Sequence, residues 1–295
     1  MVVNVETKPQ TIAESLIDTL NNLSFDQRHS SFVLRRFKKD ADVLRGKDQG
    51  AGFNVLGVIA TFERKLDEVC YNFDLSLRYR ETSFTHDNYA ISLAKLGYYN
   101  EAWDAISKAI DVYKDDLSLL DCAIKTSFVS GRIFQSFDLI VNRWDKLSPG
   151  KQYRFSPIIH AVQKKAKKLN LLEKDICAFF NTFTEPVRNN SLFIFSEEFS
   201  FQDNHGPSIS YLLDDINIDL HSLFEETDSN LKKFSSDLNS LIRYNYECSD
   251  EDELELINSI EADIDANPSN IVEVDHKLLH RIANLINVEG VQWQK

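Results

Sequence analysis

Apolar residues recur along most of the chain at the three- and four-residue spacing of an amphipathic helix. The clearest stretch covers residues 87–147, where apolar and small residues form two similar blocks. Gly97 and Gly131 occupy equivalent places in these blocks and lie 34 positions apart. A fixed period of this length is typical of stacked helical hairpins. The pattern therefore predicts at least two such hairpins in this stretch.

The first block also carries a small-and-aromatic motif, namely Ala90, then Leu96-Gly97-Tyr98-Tyr99-Asn100-Glu101-Ala102, then Ala109. This motif resembles the tetratricopeptide repeat (TPR), and the resemblance covers about residues 83–146. The second block keeps Gly131 and Pro149 but has Ile133 and Ser136 in place of a tyrosine and an alanine. The resemblance implies antiparallel hairpins that bind a peptide or helix of another protein. It implies no catalytic chemistry.

Three or more repeats are usually needed, because one hairpin cannot bury its apolar face alone. We therefore expect further hairpins at about residues 49–82 and 151–184, although a single helix over about 53–73 also fits the first of these segments. The sequence predicts an all-α fold with three regions: N-terminal helices over 1–50, a TPR-like array over 51–185, and an acidic, mainly helical domain over 186–295.

One segment departs from the helical pattern. Two phenylalanine-rich pieces, 192–195 and 199–201, place their phenylalanines at positions of the same parity, so the pieces could pair as one small β-hairpin. An extended loop held by these phenylalanines is the interpretation we favour. Further helices are predicted at about 208–225, 228–246, 251–265 and 274–288.

Charge divides the chain unevenly. Residues 1–190 hold 27 Lys and Arg against 24 Asp and Glu, whereas residues 191–295 hold 6 against 22. An acidic half repels nucleic acid and attracts basic surfaces, so we expect a protein partner with a basic or mixed-charge surface. Homo-oligomerisation is left open. The densest acidic surface is predicted at Asp250, Glu251, Asp252, Glu253 and Glu255.

The cysteines and the hydropathy indicate a compartment. Four dispersed cysteines without a CxxC pair predict reduced thiols, and no apolar run is long enough to span a bilayer. The N-terminus lacks the pattern of a secretory signal. We therefore expect a cytoplasmic protein with no membrane partner.

Metal and cofactor sites are not predicted. His276 and His280 lie four apart, but the HExxH pattern would need a glutamate at Lys277. The Asp263-x-Asp265-x-Asn267 segment resembles the start of a calcium loop, but Pro268 replaces the turn glycine. The glycines near residue 50 do not fit a phosphate loop. We expect no cofactor.

One catalytic alternative remains open. Arg154 and His160 have the loose Arg-to-His spacing of helical ribonucleases of the HEPN type, in which His would act as base and Arg would stabilise phosphate charge. Pro157 is predicted to interrupt this spacer. Catalytic residues are otherwise not expected. Two basic clusters, at 35–39 and 164–168, are predicted to be solvated helix faces or docking sites for the acidic half.

The TPR resemblance implies a groove along the leading helix of each hairpin. Asp87 and Asp121 would oppose a partner's carboxylate there, so a basic or mixed-charge peptide is predicted. The implied groove residues are Phe84, Asp87, Asn88, Ile91, Lys95, Asp121, Lys125 and Phe128.

The main hypothesis is a non-enzymatic interaction module, acting as adaptor, chaperone or regulator. One alternative is an inhibitor whose acidic half covers a basic surface of an enzyme or a nucleic-acid-binding protein. The other is the helical ribonuclease.

Overall fold

A computed structural model describes residues 8–202, 206–214 and 219–248. The chain divides into two compact units, Met1–Cys122 (unit 1) and Ala123–Lys295 (unit 2). The described residues are mainly helical with one small sheet, which confirms the predicted fold class. The three predicted regions have other boundaries than these units and stay a prediction.

Unit 1 is built from helical hairpins that pack on one another. α4 packs against α5 and α6 against α7, while α4 also contacts α1, α3 and α6. α1 also contacts α3, so these two helices form the first hairpin, and α2 lies in the segment that connects them. The helices are α1 (Pro9–Asn21), α2 (Phe25–Arg28), α3 (Ser31–Arg45), α4 (Gln49–Phe62), α5 (Leu66–Tyr79), α6 (Ser83–Lys95), α7 (Tyr99–Ile106) and α8 (Leu117–Val129), the last of which continues into unit 2.

Helix starts in unit 1 follow from short polar side chains. Asp48 caps α4, because its Oδ1 accepts the backbone N–H of Ala51 at 2.9 Å. Thr82 caps α6 in the same way, with the N–H of Thr85 at 3.1 Å. Each cap satisfies a backbone donor that the helix itself leaves unpaired. The leading helices of two successive hairpins thus begin with the same device.

Four hairpins close with one type of turn. The second residue after the first helix has a positive φ, and the N–H of the next residue bonds the carbonyl five residues before it at 2.9–3.0 Å, as in a Schellman motif. α4 and α5 also pack against each other, which confirms the hairpin predicted at 49–82, and the same turn joins the two helices of the segment predicted at 151–184. The geometry also shows that the single helix expected over 53–73 is wrong, since the chain turns between α4 and α5. The positive-φ residues are Arg64, Gly97, Gly131 and Asn170.

Unit 2 combines hairpin helices with a small mixed sheet. The strand order is β1-β2-β3, with β1 antiparallel and β3 parallel to β2. α10 packs against β1 and β2, α11 packs against α12, and α12 packs against β3. After α8 the elements are α9 (Ile133–Asn142), a 3-10 helix (Trp144–Lys146), α10 (Pro149–Lys168), α11 (Glu173–Asn189), β1 (Ile194–Gln202), β2 (Gly206–Leu213), α12 (Leu220–Leu231), α13 (Ser236–Asn239) and β3 (Arg243–Cys248).

The sheet corrects three predictions. Residues 194–202 form one strand rather than a loop, and the two phenylalanine-rich pieces do not pair with each other because β2 pairs with β1. The helix expected at 208–225 is wrong over its first part, where Ile209 and Tyr211 are buried and Ser208 and Ser210 are half-buried. That alternation of two is the period of a strand. The helix expected at 228–246 ends at Leu231, and its last residues form β3.

An aromatic cluster fills the core of unit 2. Phe183 of α11 stacks on Tyr244 of β3 with ring centroids 4.9 Å apart, and it meets Phe179 edge to face at the same distance. Tyr246 is buried beside them, where its hydroxyl contacts the Phe183 carbonyl and lies 2.7 Å from Thr227 Oγ1. Aromatic packing of this kind joins α11 and α12 to the sheet.

Candidate partner-binding face

A small pocket opens on the leading helices of unit 1, which are the first helices of its hairpins. It lies between α1, α4 and α6, so three successive hairpins contribute to it. The lining residues are Asn21, Val58, Thr61, Phe62, Asn88, Ile91, Ser92 and Lys95. Three of the predicted groove residues, Asn88, Ile91 and Lys95, therefore lie together at one described site.

The pocket has a lining of apolar and polar side chains. Phe62 and Val58 supply apolar surface from α4, and Ile91 is 38% exposed on α6. The Lys95 ammonium lies 5.6 Å from the centroid of the Phe62 ring, which is cation–π geometry. Among the described lining residues Lys95 is the charged one, and the other polar groups are amides and hydroxyls.

A buried polar network fixes α4 against α6 beneath this pocket. The Asn88 side-chain amide donates to Asn54 Oδ1 at 3.3 Å, and the Asn54 amide donates to Thr85 Oγ1 at 3.1 Å. Buried amides without such partners would be costly, so the network holds the two helices in one register. Sequence reasoning missed Asn54, although it lies one 34-residue period before Asn88.

Asp87 does not contribute its charge to the pocket. Its carboxylate is buried and accepts a hydrogen bond from Ser118 Oγ at 2.6 Å. Burial raises the pKa of Asp87, and the charges of Asp116 and Asp121 raise it further, whereas the Ser118 hydrogen bond lowers it. The carboxylate that was predicted to select a basic peptide is therefore turned into the protein.

The corresponding face of unit 2 is covered by the chain's own sheet. The Lys125 ammonium of α8 lies 2.5 Å from Glu197 Oε2 on β1, and Glu197 is 5% exposed. α10, the next leading helix, packs against β1 and β2. Phe128 is fully buried, with its ring 5.9 Å from that of Phe180. A partner could not reach Phe128 because it is buried, and the Lys125 ammonium is already paired with Glu197.

The two remaining predicted groove residues lie outside the pocket. Phe84 and Asp121 are both half-buried, and neither is among the residues that line the pocket. The acidic surface predicted at Asp250–Glu255 lies outside the described residues, as do His276, His280 and the segment from Asp263 to Pro268. Those interpretations stay predictions.

The ribonuclease alternative can be compared with the geometry of α10. The helix is continuous through Pro157, so the expected interruption is wrong. Positions six apart on one α-helix are separated by about 9 Å along its axis and by about 120° around it. The ring of His160 lies 5.9 Å from that of Phe137. This backbone geometry by itself does not bring positions 154 and 160 together.

Within the described ranges, no group of three or more His, Cys, Asp or Glu residues is arranged to hold a metal ion. No described helix is both long enough and apolar enough to cross a bilayer. Comparisons with protein-family models, with curated proteins and with solved structures found no match. The helical-hairpin architecture thus rests on the structure, and TPR membership stays a resemblance.

Proposed function

We propose that this protein is a non-enzymatic interaction module that binds a segment of another protein on the leading helices of unit 1. The observation that carries the proposal is the pocket between α1, α4 and α6. Its residues come from three successive hairpins, as expected for a surface that a helical array presents to a peptide. An adaptor, a chaperone and a regulator would all use such a surface.

The chemistry of the pocket favours a mixed-charge segment. An acidic side chain of the partner would pair with Lys95, and a neighbouring apolar side chain would cover Ile91 and Phe62. Asp87 does not oppose such a carboxylate, because its own carboxylate is buried and bonded to Ser118. The amide of Asn21, which is exposed, would supply a further donor to the bound backbone.

The same lining argues for binding rather than catalysis. Its polar groups are two amides, two hydroxyls and one ammonium. A hydroxyl nucleophile is most often activated by a histidine or a carboxylate, and neither belongs to the described lining. Binding is therefore what these groups can do together.

Site-specific photocrosslinking tests the proposal. A photoreactive amino acid would replace Ile91, which is exposed beside the pocket, and a matched variant would carry it at Tyr71, which is exposed on α5. We expect a discrete protein adduct from the Ile91 variant in native lysate and none of the same mass from the Tyr71 variant. The crosslinked segment, identified by mass spectrometry, should contain an acidic residue next to an apolar one.

Charge reversal provides the second arm of this test. Lys95→Glu should abolish the Ile91 adduct, since it replaces the attraction with repulsion at the pocket. Lys108→Glu, an exposed lysine elsewhere in unit 1, is the control and should leave the adduct unchanged. An adduct that persists in Lys95→Glu contradicts the proposed site.

A further inference from the structure

A second surface on unit 1 combines exposed apolar side chains with cations. On α3, positions i, i+4, i+7 and i+11 fall within about 60° of the helix circumference, so their side chains form one stripe. Phe32 is 78% exposed and Val43 is 66% exposed at the two ends of this stripe. We call it the α3 stripe, and it consists of Phe32, Arg36, Lys39 and Val43.

The fold of unit 1 does not require the α3 stripe. α3 is held on the opposite side, where Leu34, Ala41 and Leu44 are buried. Single exposed apolar residues are common on protein surfaces. Here two of them lie on the same side of one helix, in the first hairpin of an array, where a polar outer face is the usual arrangement.

The cations of this surface are available to a partner. In the part of the chain that the structure describes, Arg36, Lys39 and the neighbouring Arg35 make no ion pair or hydrogen bond. Other cations of the same helix are paired: Lys38 lies 2.7 Å from Glu63, and Arg45 lies 3.0 Å from Asp42. Three positive charges, those of Arg35, Arg36 and Lys39, therefore lie on the outer side of α3. Asp40 is the exposed acid nearest to them in sequence.

We propose that the α3 stripe binds an acidic amphipathic helix of a partner protein. Phe32 and Val43 are about 16 Å apart along the α3 axis, which is three helical turns, so a helix laid along α3 can cover both. Carboxylates on its flanks would pair with Arg35, Arg36 and Lys39. Arginine and large aromatic side chains are also the residues that protein interfaces favour.

The geometry fits a helix better than an anionic membrane. A helix that lies in a bilayer interface buries a broad apolar face in the lipid, and the apolar face of α3 is turned into the core of unit 1. Two isolated apolar side chains would give little insertion. This site is separate from the pocket of the proposed function, because α3 is the second helix of its hairpin and contributes no residue to the pocket.

The test measures binding of a designed peptide to the full-length chain by fluorescence anisotropy. The labelled probe is a helix of about five turns with leucines along one side and glutamates on the flanks. A matched probe carries lysines in place of the glutamates. We expect the glutamate probe to bind and the lysine probe not to bind, with affinity that falls as salt is added.

Substitutions in the stripe should weaken binding of the glutamate probe. The double variant R36E/K39E should lose about tenfold or more in affinity, and F32S should lose several-fold. The matched controls are R78E and Y71S, which alter an exposed arginine and an exposed tyrosine of α5 and should bind like the wild type. Thermal unfolding of each variant checks that the fold is kept.

Several outcomes would overturn this proposal. The proposal is wrong if the glutamate probe does not bind, if the lysine probe binds equally well, or if R36E/K39E binds the glutamate probe as tightly as the wild type. Binding to phosphatidylserine-containing vesicles without binding to the peptide would assign the surface to lipid instead. Lys95→Glu should leave probe binding intact, so a failure here and a failure of the proposed pocket can be told apart.

Discussion

The faces formed by the leading helices differ between the two units. In unit 1 the leading helices α1, α4 and α6 present a pocket lined by Lys95, Asn88 and Ile91. In unit 2 the leading helices α8 and α10 meet the chain's own strands, and Lys125 is paired with Glu197. Hairpins closed by the same turn therefore give an open face in one unit and a covered face in the other.

A repeat motif alone therefore does not determine whether the face of a leading helix is open. Lys95 and Lys125 were both assigned to the groove from their places in the repeat. Lys95 lines the pocket of unit 1, and Lys125 is paired with Glu197 within unit 2. What distinguishes them is β1, an element outside the repeats, because it brings a buried carboxylate to α8.

The largest expected effect is that of Gly131→Ala in unit 2. Gly131 has a φ of +83°, and an added Cβ would lie 2.7 Å from the Cα of Cys177 on α11. The left-handed conformation and the clash with backbone together should lower the free energy of unfolding by about 3 kcal/mol. Denaturant unfolding measures this loss. A loss below about 1 kcal/mol would mean that the α8–α9 turn and α11 are not in close contact.

Removal of Lys125 should have the next largest effect. Lys125→Ala leaves Glu197 buried without its cation, and we expect a loss of about 2 kcal/mol, because Lys125 itself is partly exposed and water can reach it. Adding Glu197→Gln in a double variant should recover most of the loss, since the glutamine carries no charge. If Lys125→Ala proves as silent as Lys95→Ala, then the sheet does not hold this face closed.

The buried Asp87 predicts a pH dependence. Because burial raises its pKa in the folded state, Asp87 favours folding when it is protonated, and this contribution is lost as the pH rises through the folded-state pKa. The stability of the wild type relative to Asp87→Asn should therefore fall from acidic to neutral pH. Urea unfolding at a series of pH values measures the trend. Asp104→Asn, exposed on α7, is the control, and an equal trend in both variants would contradict the burial of Asp87.

The smallest expected effect on stability is that of Lys95→Ala. Lys95 is half-buried at the edge of the pocket and contacts the Phe62 ring, so its removal should change the free energy of unfolding by about 0.5 kcal/mol or less. The same variant should weaken the Ile91 adduct described above. A large loss of stability together with an unchanged adduct would contradict a binding role for Lys95 and would indicate that Lys95 stabilises the fold.

Much of the architecture could be predicted from local pattern. Gly97 and Gly131 indicated two turns, because a left-handed residue is most easily supplied by glycine. Arg64 and Asn170 adopt the same conformation without being glycine, and one continuous helix was therefore also expected over 53–73. The strands β2 and β3 were missed, since the alternation around Ile209 is too short to outweigh the helical pattern on either side.

The candidate site was predictable in part. The resemblance placed Asn88, Ile91 and Lys95 together, and they line one pocket, because residues three, four and seven apart share a face of a helix. It also grouped Asp87 with them, and the structure buries that residue beside Ser118. Asn21 and Val58 could not have been added from sequence, because their proximity to α6 depends on how three hairpins pack.

The sequence by itself determined most of the helices, the 34-residue period and the turns at glycine, since each depends on contacts between residues close in the chain. Only the tertiary structure decided which of the repeated faces is open. That outcome depends on β1, which lies about 70 residues after Lys125 and pairs with it through a carboxylate that no local pattern connects to α8. Long-range packing, rather than the repeat, therefore pairs Lys125 with a buried carboxylate of unit 2.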